Sequence, residues 1–455
     1  MIALLILFRY SYFMHEYQIP KSWIAISVFI GIMSSTLSFS ENSSRELVIV
    51  YSGNTLGELK PCGCAKEEDQ GGFERRSTYL KQVFANSNNV LLVDTGDNFK
   101  EPSRQGKIKA RYIMQAMSKL KYDAVIPGDK DLVYGESFLN NDAAIPWLLS
   151  NAKLSKVNMP KIRIKKLENG LTVAMLALID SDLYYDTKHS GGSITDPKES
   201  AQKLIEKLKT SERPDVIVAL THMKREEAIS MLKLSGVDVV INGHIKKDTD
   251  IIDMTHIERN GKVFAQSGSR GQKMGELTVS IDGKGRKSFK QRIIPLDSNI
   301  KPDPEMIEWY EDYNKEVEDL FFTSLGSRKS QHGKQKIYAS EQACLTCHPS
   351  KHETWNKSRH SHAYETLSRV NKSFDPECLA CHVTGWGHSE GFISEVDTPN
   401  LKNVQCEVCH GPRLDHVNNS QQSFKIDAKK ACENCHVKNH SPNFNFSKYW
   451  QKIKH

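Results

Sequence analysis

Cys-x-x-Cys-His occurs four times in the last quarter of the chain, as Cys344-Leu-Thr-Cys347-His348, Cys378-Leu-Ala-Cys381-His382, Cys406-Glu-Val-Cys409-His410 and Cys432-Glu-Asn-Cys435-His436. Two thiols at that spacing fix the edge of a porphyrin through thioether bonds, and the next residue swings its imidazole beneath the iron as proximal ligand. Structural zinc sites also pair Cys with His, but they do not require His directly after the second Cys four times over. The expectation is four covalently bound c-type haems with His348, His382, His410 and His436 as proximal ligands.

Of the 10 cysteines, eight are used in this way, leaving Cys62 and Cys64. Of the 17 histidines, 12 follow residue 330, which separates a haem-bearing C-terminal part from a longer N-terminal one. The formal charge of +7 is spread without basic blocks, so a nucleic-acid partner is not expected. Near the start, Lys21 precedes the apolar run Trp23 to Met33 and a small-residue stretch to Ser40, the layout of a secretory signal, with Met14 as an alternative start. Residues 1–40 are therefore expected to be a signal peptide, or an anchor to the membrane if uncleaved, which places the protein in the periplasm.

Short β-rich apolar runs at 47–51, 90–94, 123–126, 172–178, 215–220 and 237–241 look like buried strands. Amphipathic stretches at Phe73 to Val83, Lys107 to Leu120 and Ala201 to Leu208 lie between them, giving the alternation of an α/β domain over 41–300. Alternating segments within 263–295 predict closing antiparallel strands, and Pro304 opens a helix expected to end near Phe321. The polar, glycine-containing stretch 326–336 is expected to be linker within a helix-and-linker region at 301–337. A mostly α, haem-packed module follows at 338–455.

Tyr51-Ser-Gly-Asn54-Thr-Leu56-Gly57, Asp94-Thr-Gly-Asp97-Asn98, Gly128-Asp129-Lys130-Asp131, Thr221-His222 and Asn242-Gly-His244-Ile-Lys246 lie after the predicted strands. Residues 46–295 thereby resemble the calcineurin-like metallophosphoesterases, in their 5′-nucleotidase branch. The resemblance implies an α/β/β/α sandwich and a two-metal site that activates water for phosphoryl transfer. The pattern is half kept. Asn54 and Leu56 stand at the family's Asp and His, Lys130 at its catalytic His, and Lys246 at a further ligand. Asp97, Asp129, His222 and His244 survive and are candidates to hold one divalent metal ion.

Beside the altered loop, Cys62-Gly-Cys64 forms a close thiol pair whose internal disulfide closes a strained, reducible ring, which makes it a candidate redox site. Arg75 and Arg76, at a helix start, are expected at the surface.

The haem-bearing part resembles the tetrahaem cytochrome c-554 family, through Ala343-Cys-Leu-Thr-Cys-His348, Trp355 with Ser361-His362-Ala363, Cys378-Leu-Ala-Cys-His-Val-Thr-Gly385 and Val404-Gln-Cys-Glu-Val-Cys-His-Gly-Pro412. The resemblance implies distal histidine ligands at His360, His416 and His455, with His362 and His440 as alternatives to the first and last. It also implies that the haem on His382 lacks a sixth protein ligand. His332, His352 and His388 are expected at the surface or on propionates.

Together these features predict an exported multihaem cytochrome that transfers electrons to or from redox partner proteins or quinol-linked donors. The alternatives are a metal-dependent phosphoesterase with an attached cytochrome, and an oxidoreductase acting on a small nitrogen or sulfur compound at the open haem.

Overall fold

The computed structural model describes residues 44–61, 69–141, 145–183, 192–247, 252–333, 336–421, 424–438 and 440–455. The expected signal at 1–40 and the pair Cys62 and Cys64 lie outside the described residues. Glu46–Ser280 with Lys287–His455 makes one compact unit, and the Ile281–Arg286 turn falls with Arg45 in a second. Among the described residues no helix is long and apolar enough to cross a membrane.

Two sheets carry the N-terminal part. One runs β13 (Lys287–Pro295), β12 (Lys273–Ile281), β1 (Arg45–Ser52), β2 (Val90–Asp94), β3 (Ala124–Val125). The other runs β10 (Ile257–Arg259), β11 (Lys262–Gln266), β9 (Val239–Asn242), β8 (Val216–His222), β6 (Thr172–Ile179), β5 (Arg163–Lys166). A short antiparallel pair, β4 (Ala152–Lys153) and β7 (Ser193–Ile194), stands apart. The central strands are parallel and buried on both faces, which is why they read as unbroken apolar runs. Their polar residues come at the carboxyl ends and in register: Ser52 pairs with Asp94, and Thr221 with Asn242. The loops that leave these ends therefore leave side by side, where ligand residues gather in such sheets.

The flanking helices are α1 (Phe73–Asn86), α2 (Arg104–Lys119), α3 (Pro197–Ser211), α4 (Arg225–Ser230) and α5 (Pro304–Gln331). Asp196 and Asp303 cap α3 and α5 with Pro at the first turn, and Ser103 caps α2. Two expectations fail here. Arg75 is half-buried and binds Asp69 at 2.8 Å, while Arg76 is fully buried, its guanidinium 4.3 Å over the Phe73 ring and bonded to the Tyr122 hydroxyl (3.3 Å). Phe73, Arg76, Leu80 and Val83 share one helical face, so position 76 faces inward whatever its charge. Helix α5 does not stop near Phe321 but runs into the expected linker, as far as Gln331. Its last turns are held by tertiary contact: Arg328 lies 4.0 Å over the Trp386 ring and donates to the Phe392 carbonyl at 2.7 Å.

The C-terminal part is built of α6 (Glu341–Cys347), α7 (Pro349–Asn356), α8 (Ala363–Arg369), α9 (Pro376–His382), α10 (Cys406–His410), α11 (Leu414–Asn418), α12 (Ala428–Glu433) and α13 (Phe446–Ile453). None exceeds eight residues, well below the length at which a helix holds in water alone. Helices α6, α11, α12 and α13 bury none of their own residues. Packing among side chains thus accounts for little of their order.

The two parts meet along α2, α5 and α9. Asp375 caps α9 by accepting from Glu377 N, and also accepts from Gln105 Nε2 at 2.8 Å. Gln105 further donates to the Tyr313 hydroxyl at 3.0 Å, and Lys109 Nζ sits 2.6 Å from Glu377.

Candidate functional site

The loops after β2, β3 and β9, with the last residue of β8, bring Asp97, Asp129, His244 and His222 together, one ligand atom of each lying within 4.8 Å of the others. Asp131 ties the first two loops. It is fully buried and accepts from the backbone N–H of Asp97 (2.9 Å), Asn98 (2.8 Å) and Gly128 (2.8 Å). Burial, and then the charge of Asp97, pushes its carboxyl up to about 7. Asp97 itself sits at φ 58 and accepts from Lys130 N at 3.0 Å. Sequence reasoning quoted Asp131 without giving it this role; its position three residues after Gly128 was the available signal.

His222 is fixed from behind. Its Nδ1 faces the Thr95 carbonyl at 2.8 Å, so Nδ1 carries the donated proton and Nε2 points at Asp129 (3.0 Å) and Asp97 (3.4 Å). That backing sets tautomer and ring orientation as in metal-bound imidazoles. Burial pulls the His222 pKa down, but Asp97 and then Asp129 outweigh it and push it up to about 9. Asp97 is raised, chiefly by burial, with His222 opposing. Asp129 is also penalised by burial, yet the hydrogen bond from His222 and the nearby His244 imidazole, 3.5 Å away, hold it well below the carboxylate range. Asp97 Oδ2 is buried without a hydrogen-bond partner, and His244 Nδ1, also buried, makes only a long 3.5 Å approach to Asp129. Two carboxylates and two imidazoles converging with atoms to spare fit one borderline-to-hard divalent cation, which would take the place of the proton on His222 Nε2.

Among the described residues the opposite side of the site does not provide a second set. Asn54 Nδ2 donates to the carbonyls of Gly243 (2.6 Å) and Gly268 (2.9 Å), so this amide braces the loops. Leu56 is buried and Lys246 is exposed. Asn54 and Leu56 both keep left-handed backbone, φ 51 and 53, a strained choice for a leucine.

In the C-terminal part three pairs of histidine rings face one another. His348 and His416 have centroids 6.3 Å apart with planes 12° apart, His360 and His436 stand at 6.2 Å and 49°, and His410 and His455 at 5.8 Å and 43°. Two imidazoles coordinating one metal at about 2 Å each leave their ring centres roughly 6 Å apart. His416 Nδ1 is buried without a partner. His360 is placed by a backbone relay: Trp355 Nε1 donates to the Val404 carbonyl (2.8 Å), and Val404 N donates to the His360 carbonyl (3.1 Å).

The alternatives His362 and His440 are both exposed, the first 3.6 Å from Glu365. His382 is held through Nδ1, 2.7 Å from the Ala363 carbonyl and 3.2 Å from Thr366 Oγ1. Among the described residues no second imidazole ring stands across from it at the spacing of the three pairs. His352 binds Glu341 at 2.5 Å and His388 packs on Tyr338.

Residues 343–411 match the family model for cytochrome c554 and c-prime. Cytochrome c-554 of Nitrosomonas europaea is 31% identical over 112 residues, 20% of this chain and 47% of that protein. The trifunctional nucleotide phosphoesterase YfkN of Bacillus subtilis is 24% identical over 292 residues, 54% of this chain and 20% of that protein. Of these two relatives the chain thus spans less than half the length. The crystal structure of a 5′-nucleotidase precursor from Thermus thermophilus superposes with a TM-score of 0.54 at 20% identity, over 65% of this chain and 61% of that one, a likeness of fold. The chain joins an N-terminal domain of 5′-nucleotidase-like phosphoesterase fold to a helical C-terminal region that carries a cytochrome c554 match.

Proposed function

We propose that this protein is an exported four-haem cytochrome that transfers electrons, and that its nucleotidase-like domain has turned from hydrolysis to a redox or docking role. The observation that carries the reading is the set of three ring pairs, His348 with His416, His360 with His436 and His410 with His455, each at the spacing of two axial ligands. Haem iron held between two histidines exchanges single electrons without changing ligands. The chain's part is to fix those rings. The Ala363 carbonyl opposite His382 Nδ1 orients that proximal ring and raises its basicity. An unligated opposite face at His382 would admit a small nitrogen or sulfur compound.

Electron paramagnetic resonance of the oxidised protein tests this: three low-spin centres and one high-spin centre are expected. Four low-spin centres remove the small-molecule site, and fewer than four haems per chain sink the reading. Redox partner proteins or quinol-linked donors in the periplasm fit such a carrier.

A second reading keeps metal-dependent phosphoester hydrolysis, supported by the convergence of Asp97, Asp129, His222 and His244. Against it, Lys130 stands where the family resemblance puts the catalytic histidine. Phosphatase activity that disappears in Asp97→Asn at unchanged haem content would favour this reading over the first.

A further inference from the structure

A separate group of oxygen donors stands where the chain leaves β6. Asp180, the first residue after that strand, donates its backbone N–H to the His222 carbonyl at 3.0 Å, and its Oδ1 accepts from Asp182 N at 3.0 Å. This turn fixes the carboxylate in place. Asp180 is 7% exposed, and its second oxygen, Oδ2, is buried without a hydrogen-bond partner. A charged oxygen left in that state is costly unless a cation comes to it.

Lys224 does not fully meet that need. Its Nζ lies 3.9 Å from Asp180 Oδ2, beyond hydrogen-bond distance, and stands equally off from Asp182 Oδ2 (3.8 Å) and Glu227 Oε1 (3.9 Å). One ammonium is thus shared among three carboxylates and closes on none of them, which leaves two negative charges unmatched. Burial, and then the charge of Asp180, pushes the Glu227 carboxyl up, against the pull of Lys224. Lys224, Asp182 and Glu227 are exposed, so these three side chains can turn while Asp180 stays where its turn holds it.

We propose that Asp180, Asp182 and Glu227 form a calcium site, with Asp180 as its fixed ligand and Lys224 as the cation that calcium displaces. The donors are carboxylate oxygens alone, with no imidazole or thiol among them, which suits a hard cation. Calcium at roughly 2.4 Å from each oxygen asks Asp182 and Glu227 to move in by about 1.5 Å, and it accepts irregular shells completed by backbone carbonyls and water. Magnesium needs near-octahedral oxygens at roughly 2.1 Å and gives up its water reluctantly, so a half-open set serves it less well. The affinity expected of so open a site lies in the ~10⁻⁴–10⁻³ M range of extracellular modules, and titrations that count tighter ions pass it by. Bound calcium ties the loop after β6 to α4, which carries Glu227.

The test is equilibrium dialysis of the full-length holoprotein against radioactive calcium at about 0.1 to 5 mM, a range that brackets the expected affinity. An equimolar amount of Zn(II) is present to occupy Asp97, Asp129, His222 and His244. One calcium per chain is expected, with magnesium at least about tenfold weaker. Glu227→Gln and Asp182→Asn, at exposed positions where folding is not at stake, should each weaken calcium several-fold. Lys224→Met separates a calcium site from a salt-bridge cluster: with the competing ammonium gone, calcium should bind several-fold more tightly. Calcium that binds equally well to both acid variants lies elsewhere and overturns the proposal. Wild-type and Lys224→Met proteins that both stay calcium-free across the range overturn it too, and leave the three carboxylates as an ion-pair cluster only.

Discussion

Replacing Lys109 by Met removes one charge from the junction while keeping most of the side-chain stem. Lys109 Nζ and the Glu377 carboxylate are 2.6 Å apart, with 11% of the lysine side chain and 41% of the glutamate side chain exposed. At an effective dielectric near 20, that separation corresponds to roughly 6 kcal/mol of gross attraction, much of it cancelled by desolvation of the lysine. Exposure of the glutamate lets water replace part of what is lost. The net cost then falls between the ~0.2–1 kcal/mol of an exposed pair and the ~3–5 kcal/mol of breaking a buried one, or about 2 kcal/mol.

The pH dependence has a definite sign. Burial opposes the charge on Lys109, but Glu377 prevails and holds it above its ordinary range; burial likewise opposes Glu377, and Lys109 holds it below. The contribution is full between unfolded values of roughly 4.3 and 10.4. It is lost as acid protonates Glu377 through its lowered pKa, or as alkali deprotonates Lys109 through its raised one. The assay is urea unfolding of the holoprotein in a double-mutant cycle with Glu377→Gln, followed separately by tryptophan fluorescence and haem absorbance. A coupling of about 1–2 kcal/mol is expected at pH 7, shrinking as the pH falls below about 4. Coupling under about 0.3 kcal/mol at pH 7, within the error of additivity, would refute the reasoning.

Ala in place of His360, His416 or His455 should each convert one low-spin haem to high spin, while His362→Ala and His440→Ala leave the spin count unchanged; a silent His360 variant beside a responsive His362 one would reverse that assignment. Calorimetry on metal-free protein should find one divalent ion per chain, with Asp97→Asn or His244→Ala weakening it by at least about 10–100-fold, the loss typical even of outer-shell partners. Unchanged affinity in both would remove these residues from the ligand set. The triple variant Asn54→Asp, Leu56→His, Lys246→His should raise the metal count from one to two, because the backbone at 54 and 56 already has the left-handed turn; a count still at one would show that the loop has closed over the second position.

Much of the fold was legible because burial on both faces of a parallel strand leaves an unbroken apolar run, as in Val90–Asp94 and Val216–His222. That Asp97, Asp129, His222 and His244 converge was legible because each sits at a fixed offset within a short segment. Arg76 was misread by its charge, although Phe73, Leu80 and Val83 already marked its helical face as the inner one. The end of α5 was misread because Gly326 and the basic run after it look like linker, and what holds them, Arg328 on Trp386, depends on a residue 58 positions away. The junction had no local signal at all: Gln105 and Asp375 are 270 residues apart, and neither belongs to a recurring pattern. The choice of His360 over His362 beside His436 likewise turns on the path of the backbone between Trp355 and Val404, which spacing does not reveal.

The cap on α9 ties two distant stretches of the chain together. The carboxylate that starts the helix bearing Cys378 is the same one that receives the amide of Gln105, so the full set of bonds at this cap exists only when both stretches of the chain are in place. In that packing Cys378 is already half-covered. A bulky group carried by this cysteine would therefore sit beside the surface where the two parts meet.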